Sequence, residues 1–164
     1  MNPLERLRQR YPYMFDSPNL GVYVPRGWMA GFERLCEQID ALLGPEKQGF
    51  FWIQCKEKYG SGRFYFRWGR NIPPMRIDIQ APDGVLSFRN DPLRRKKPRQ
   101  GDDVKRKVEE LIATMESETR SMCIVCSAPG KLHNHEGYML VLCAEHVRQR
   151  ESKTGLTESP WYDC

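Results

Sequence analysis

From Trp28 the apolar residues Trp28, Phe32, Leu35, Cys36, Ile39, Leu42 and Leu43 recur at steps of three and four, which sets them on one face of a helix. Gly44 followed by Pro45 ends it, because glycine accepts the reversed backbone at a helix C-terminus and proline cannot extend the hydrogen-bond ladder. Upstream, a short amphipathic turn or two is expected from Pro3 to Arg10, before Pro12, Pro18 and Gly21 interrupt it. Downstream the period drops to two. "FFWIQCKEKY" and "RFYFRW" are rich in β-formers and separated by Gly60, Ser61 and Gly62, which predicts a β-hairpin. One face of the second strand must be core, so Phe64, Phe66 and Trp68 go inward and Arg63, Tyr65 and Arg67 share the other face. "MRIDIQ" alternates Met75, Ile77 and Ile79 against Arg76, Asp78 and Gln80, and "APDG" turns the chain into "VLSF". These strands are expected as one four-stranded antiparallel sheet with the Trp28–Leu43 helix on a face.

The stretch "NDPLRRKKPRQG" has too few apolar groups to pack and reads as a connector. Asp102 or Asp103 can then cap a second helix, along which Val104, Val108, Leu111, Ile112 and Met115 form an apolar stripe. A cysteine- and histidine-bearing segment follows, and a polar tail carries Trp161 and Tyr162, an aromatic pair that could anchor a protein partner. The expected class is α+β: a helix packed on a small antiparallel sheet, with a C-terminal module of the zinc-ribbon or knuckle type. The divisions are residues 1–93 for the α+β domain, 94–101 for a basic linker, 102–150 for the helix plus zinc-binding module, and 151–164 for a flexible tail.

Charge sharpens this picture. The net charge is +5, yet nine cationic side chains and three aspartates lie between Arg89 and Lys107, so that one window accounts for all of it. A run of Arg94, Arg95, Lys96, Lys97 and Arg99, continued by Lys105, Arg106 and Lys107, can neutralise several phosphates. The interleaved rings and cations of "GRFYFRW" can stack bases as well, but core packing has the stronger claim on its aromatics. No Ser-His-Asp set, phosphate loop or dinucleotide fingerprint appears, and Glu57 within "KEKYG" is a lone carboxylate. The charged start "MNPLERLRQR" and the absence of a run of roughly 20 apolar residues lead to the expectation of a cytoplasmic protein with no membrane partner.

The cysteines fit a reducing compartment. Cys36, Cys55 and Cys164 are scattered singly, whereas Cys123 and Cys126 share the two-residue gap that aims two thiolates at one ion, and Cys143 and His146 repeat that gap. Three thiolates and an imidazole fill zinc's four positions, which predicts a closed, structural Zn2+ site. Between the pairs lies "HNHEG". The layout "LHNHEGYMLVLCAEH" resembles phage endonucleases of the HNH or endonuclease VII type, in which such histidines activate water. Here no aspartate precedes the first histidine, no arginine precedes the second pair and no asparagine follows the last ligand. His133 and His135 are therefore an alternative catalytic pair, with solvated loop histidines the simpler expectation.

Two separated stretches carry a wider likeness. "FFWIQCKEKYGSGRFYF", together with "SMCIVCSAPG" and "LCAEH", resembles a family of small zinc-binding proteins of bacteriophages and prophages marked by a "KEKFGxLRFY" segment and Cys-x-x-Cys and Cys-x-x-His ends. "YPYMF" and "RGWMAGFERLCEQI" match that family's early motif and its Gly-Trp helix, while residues 69–101 look like an insertion. Ser127 stands where the family usually has glycine. The resemblance implies a zinc site at Cys123, Cys126, Cys143 and His146 and a phage origin, and it brings no activity. The expectation is a non-catalytic zinc-binding protein acting on nucleic acid or a host nucleoprotein complex. Inhibition of host antiviral defence by protein contact, as anti-CRISPR proteins do, is the alternative, and an HNH-like nuclease the second.

Overall fold

Phe32, Leu35, Cys36 and Ile39 are each 2% exposed or less and line the buried side of helix α2 (Met29–Leu43), as their spacing requires. The computed structural model describes residues 2–16, 19–45, 47, 49–68, 75–81, 84–90, 102–135 and 137–151. The class is α+β, with helices set against small sheets. Helix α2 starts one residue later than its pattern suggests, because Arg26–Trp28 forms a 3-10 turn ahead of it. Helix α1 (Pro3–Arg10) opens with a capping box: Asn2 accepts from the Leu4 and Glu5 amides, and Glu5 accepts from the Asn2 amide. Its Arg6 and Arg10 pair with Glu33 and Glu37 of α2. Tyr11, Met14 and Phe15 of "YPYMF" then enter the core.

Strand β1 (Gly21–Val22) runs parallel to β2 (Phe50–Lys58), which pairs antiparallel with β3 (Ser61–Trp68). A bulge between Trp52 and Gln54 inserts Ile53 and shifts the alternation by one residue. Phe50 and Trp52 before it face the core, and so does Cys55 after it, which leaves Phe51, Gln54, Lys56 and Lys58 on the opposite face. The core face is aromatic: Phe32 of α2 meets Trp52 and Phe64 at ring-centre distances of 5.4 and 5.6 Å.

The expected four-stranded sheet is two sheets. Strands β4 (Met75–Ala81) and β5 (Gly84–Asn90) pair only with each other among the described residues. The edge of β3 is occupied by α3 (Asp102–Glu118) and the turn after it: the Phe64 amide donates to buried Glu116 at 3.1 Å, and the Gly62 amide to Thr119 at 2.8 Å. With those two donors taken, the first half of that β3 edge is closed to β4. It lies instead against the polar face of β3, and its expected alternation is reversed at two positions: Ile79 is 49% exposed, whereas the Asp78 side chain is 1% exposed. Buried Arg63 dictates this. Its Nε lies 3.3 Å from Asp78, its Nη1 donates to Ser61 and to the Gly62 carbonyl, and the Tyr65 hydroxyl donates to the same carboxylate oxygen at 3.0 Å.

Val108, Ile112 and Met115 seat α3 on the core. Strands β6 (Lys131–His135) and β7 (Tyr138–Leu142) form a hairpin, and α4 (Ala144–Glu151) follows. The core is continuous: Leu7, Trp28 and Phe64 belong to one cluster with Cys123, Ile124, Leu140 and Leu142. The linker over 94–101 and Trp161 and Tyr162 of the tail lie outside the described residues. No helix among the described residues is long and apolar enough to cross a membrane.

Removing the carboxylate from the Arg63–Asp78 pair strands a buried guanidinium. Asp78→Ala is expected to destabilise the fold by about 3–5 kcal/mol in urea denaturation, and replacing both partners with apolar residues should recover most of that loss. A loss below about 1 kcal/mol for the single variant would show that the pair does not clasp the hairpin.

Candidate metal centre

The Cys123–Cys126 turn is built by its own backbone. The Ser127 amide donates to the Cys123 carbonyl at 3.0 Å and the Cys123 amide to the Ala128 carbonyl at 2.8 Å. Ser127 occupies the left-handed region at φ 67°. That conformation costs a non-glycine residue roughly 1–2 kcal/mol, which is why glycine suits the position. Serine holds it with a side-chain bond, donating its hydroxyl to the Gly27 carbonyl at 2.6 Å. The second ligand pair sits at the end of the β6–β7 hairpin: Cys143 directly precedes α4, and His146 lies in that helix's first turn.

These elements bring Cys123, Cys126, Cys143 and His146 together, their ligand atoms all within 4.8 Å of one another. Zn–S bonds of about 2.3 Å and a Zn–N bond of about 2.0 Å define tetrahedral edges of about 3.8 Å between sulfurs and about 3.5 Å between sulfur and nitrogen. Cys126 and Cys143 stand 3.8 Å apart, and Cys123 lies 3.6 Å from Nδ1 of His146. The Cys143–His146 edge is tighter at 3.1 Å. The donor set and spacing fit a bound metal ion such as zinc.

Electrostatics differ among the thiols. The His146 amide, at the start of α4, donates to Cys143 and holds its thiol down at about 6, with the His146 ring contributing in the same direction. Cys126 is pushed up, first by desolvation and then by the neighbouring thiols of Cys123 and Cys143. Cys123 is fully buried and Cys126 exposed, so the cluster straddles the surface. The two scattered cysteines behave differently: burial pushes Cys36 up to about 12 and raises Cys55 well above its ordinary value, as inert core thiols.

The turn is also fastened to the N-terminal half. The Gly27 amide donates to the Ile124 carbonyl at 2.9 Å, the Trp28 indole to the Met122 carbonyl at 3.3 Å, and Nε of Arg26 to the Val125 carbonyl at 3.1 Å. Gly27 permits the approach, since a Cβ there would stand 2.2 Å from the Cys123 carbonyl oxygen. Spacing alone did not mark Arg26, Gly27 or Ser127 as site residues. The available signal was the "RGW" at the head of the Gly-Trp helix.

The other candidate residues are dispersed. His133 is half-buried on β6 opposite Leu140, and the His135 backbone lies opposite Tyr138. His133 does not join the ligand cluster. Glu57 accepts the Gly60 amide at 2.6 Å in the hairpin turn, and burial pushes its carboxyl above the usual range. Arg94, Arg95, Lys96, Lys97 and Arg99 lie outside the described residues. Lys105 and Arg106 lie near the start of α3, where Arg106 pairs with Glu110 at 2.7 Å and Asp103 at 3.5 Å on its own helix. Comparison with protein-family models, curated proteins and solved structures gives no match.

A methyl group at position 27 would push the Cys123–Cys126 turn off the Arg26–Trp28 segment. Gly27→Ala is expected to lower stability by about 1–3 kcal/mol and to hasten metal transfer to a chromogenic chelator. Wild-type values in both measurements would show that the close approach is dispensable.

Proposed function

We propose that Cys123, Cys126, Cys143 and His146 hold a structural Zn2+, and that the chain is a non-catalytic protein that binds nucleic acid or a host nucleoprotein complex. The observation that supports this most is the donor set at tetrahedral spacing. Three thiolates and one imidazole complete the ion's coordination, leaving no position for a reactive water. Bound there, the ion would tie the turn before β6 to the helix after β7 and add its binding free energy to folding. The turn's bonds to Arg26, Gly27 and Trp28 extend that effect to the core.

The cationic window supplies the contact. Arg94 to Arg99 form a dense run of positive charge, and Lys105 and Lys107 continue it on α3. Such a run releases counterions from a phosphate backbone, and affinity then falls steeply with salt. The resemblance of its motifs to those of phage zinc proteins supports an infected bacterium as the setting for this activity.

Elemental analysis of the purified chain is expected to find one zinc per chain. Binding to duplex DNA should weaken linearly in log affinity against log salt, and replacing Arg94, Arg95, Lys96 and Lys97 with alanine should flatten that slope by about three to four units. No retention of DNA or RNA at low salt would contradict the binding reading. Mg2+- or Mn2+-dependent cleavage abolished by His133→Ala and His135→Ala would replace it with catalysis.

A further inference from the structure

The face of the sheet turned away from α2 is organised by the bulge at Ile53. Because the alternation shifts there, Lys56 and Lys58 point out of this face while Cys55 enters the core. On the neighbouring strand Val22 is buried beside Cys55, so Tyr23 points outward, and it is 61% exposed. Its ring lies across Gly21: a Cβ on Gly21 would stand 2.3 Å from Cε2 of Tyr23, and φ is 118° there, so glycine alone leaves room for the ring. The β1–β2 register pairs Gly21 with Gln54 and Val22 with Cys55, and continued by one residue it brings Tyr23 to Lys56. On the far side, the Lys56 ammonium sits over the Tyr65 ring, 5.9 Å from its centre. A tyrosine, a lysine and a tyrosine therefore follow one another across three strands, with Lys58 two residues further along the same face.

Among the described residues neither Lys56 nor Lys58 forms an ion pair, and the Lys58 ammonium lies over the Tyr59 ring, 5.2 Å from its centre. Asp78 lies against the neighbouring part of this face, and its oxygens are engaged by Arg63, Tyr65 and Ser87. Glu57, between the two lysines in sequence, turns to the Gly60 amide. An exposed aromatic ring flanked by lysines matches a ligand that alternates flat apolar rings with negative charges. A base-paired duplex hides its ring faces, whereas a single strand offers both features at every nucleotide.

We propose that Tyr23, Lys56 and Lys58 form a binding strip for single-stranded nucleic acid, in which the Tyr23 ring stacks on a base and the two ammonium groups contact adjacent phosphates. This rests on the nucleic-acid reading above and adds the form of the polymer and a second surface, separate from the Arg94 to Arg99 run. The strip reads no base edges, so it is tolerant of sequence.

The test uses the full-length zinc-loaded protein and fluorescence anisotropy with labelled oligo(dT), oligo(U) and a duplex, each of about 15 nucleotides. Tyr23→Ala should weaken single-strand binding about tenfold or more, Tyr23→Phe should retain it within about twofold, and duplex binding should change little in either. Joint Lys56→Ala and Lys58→Ala replacement should flatten the single-strand salt slope by about 1.4 units. Zinc content and circular dichroism, unchanged in the Tyr23 variants, separate contact from folding. Wild-type affinity of Tyr23→Ala for both single strands would overturn the strip even if the Arg94 to Lys97 variant loses binding. Equal losses on single strands and duplex would overturn the single-strand assignment. No binding of any polymer by the wild type would overturn both this inference and the reading beneath it.

Discussion

A turn that aims two thiolates at one point leaves its peptide carbonyls facing outward, and buried carbonyls must find donors. Those of Met122, Ile124 and Val125 find them in the Trp28 indole, the Gly27 amide and the Arg26 guanidinium. Ser127 returns the exchange by donating to the Gly27 carbonyl. Residues about 100 positions apart are thereby joined by four hydrogen bonds at the head of α2, the helix on which the sheet packs. The Cys123–Cys126 turn is thus a wall of the main core, and Cys123 and Ile124 are buried like Phe32.

From that junction the rest of the architecture follows by exclusion. Helix α3 reaches the same region, and its Glu116 and the following Thr119 cap the edge of β3. The sheet stops at three strands, and the β4–β5 hairpin is diverted to the polar face, where Arg63 claims Asp78. A buried ion pair is an expensive fastening that a better-packed apolar contact could often match. Its effect here is one of placement: it fixes which side of the hairpin meets β3 and leaves the β1–β2 part of that face to Tyr23 and Lys56.

The sequence made some of this legible and hid the rest for identifiable reasons. Helix α2 was readable because Phe32, Leu35, Cys36 and Ile39 satisfy a period that few other structures produce. The convergence of Cys123, Cys126, Cys143 and His146 was readable because two-residue gaps aim paired side chains at one point whatever surrounds them. The sheet was harder, since alternation gives a strand's faces but not its neighbours. Asp78 and Ile79 exchanged their expected environments because Arg63, on another strand, needed a counter-ion. The bulge at Ile53 left no mark in a string of β-formers, yet it decides that Cys55 is core and Lys56 is surface. Gly27 was invisible for a different reason: its value lies in what it lacks, and only the carbonyl of Cys123 standing 2.2 Å from a Cβ position reveals it.

If the Cys123–Cys126 turn holds an ion, as proposed, and forms one structural unit with the head of α2, the ion's occupancy must be felt at Gly27, whose amide is bonded to Ile124. Hydrogen exchange of that amide, followed with zinc bound and after chelation, addresses this most directly. The account predicts that protection at Gly27 is lost on chelation together with protection across the first turns of α2. Unchanged exchange at Gly27 and in α2 after complete removal of the metal would contradict it.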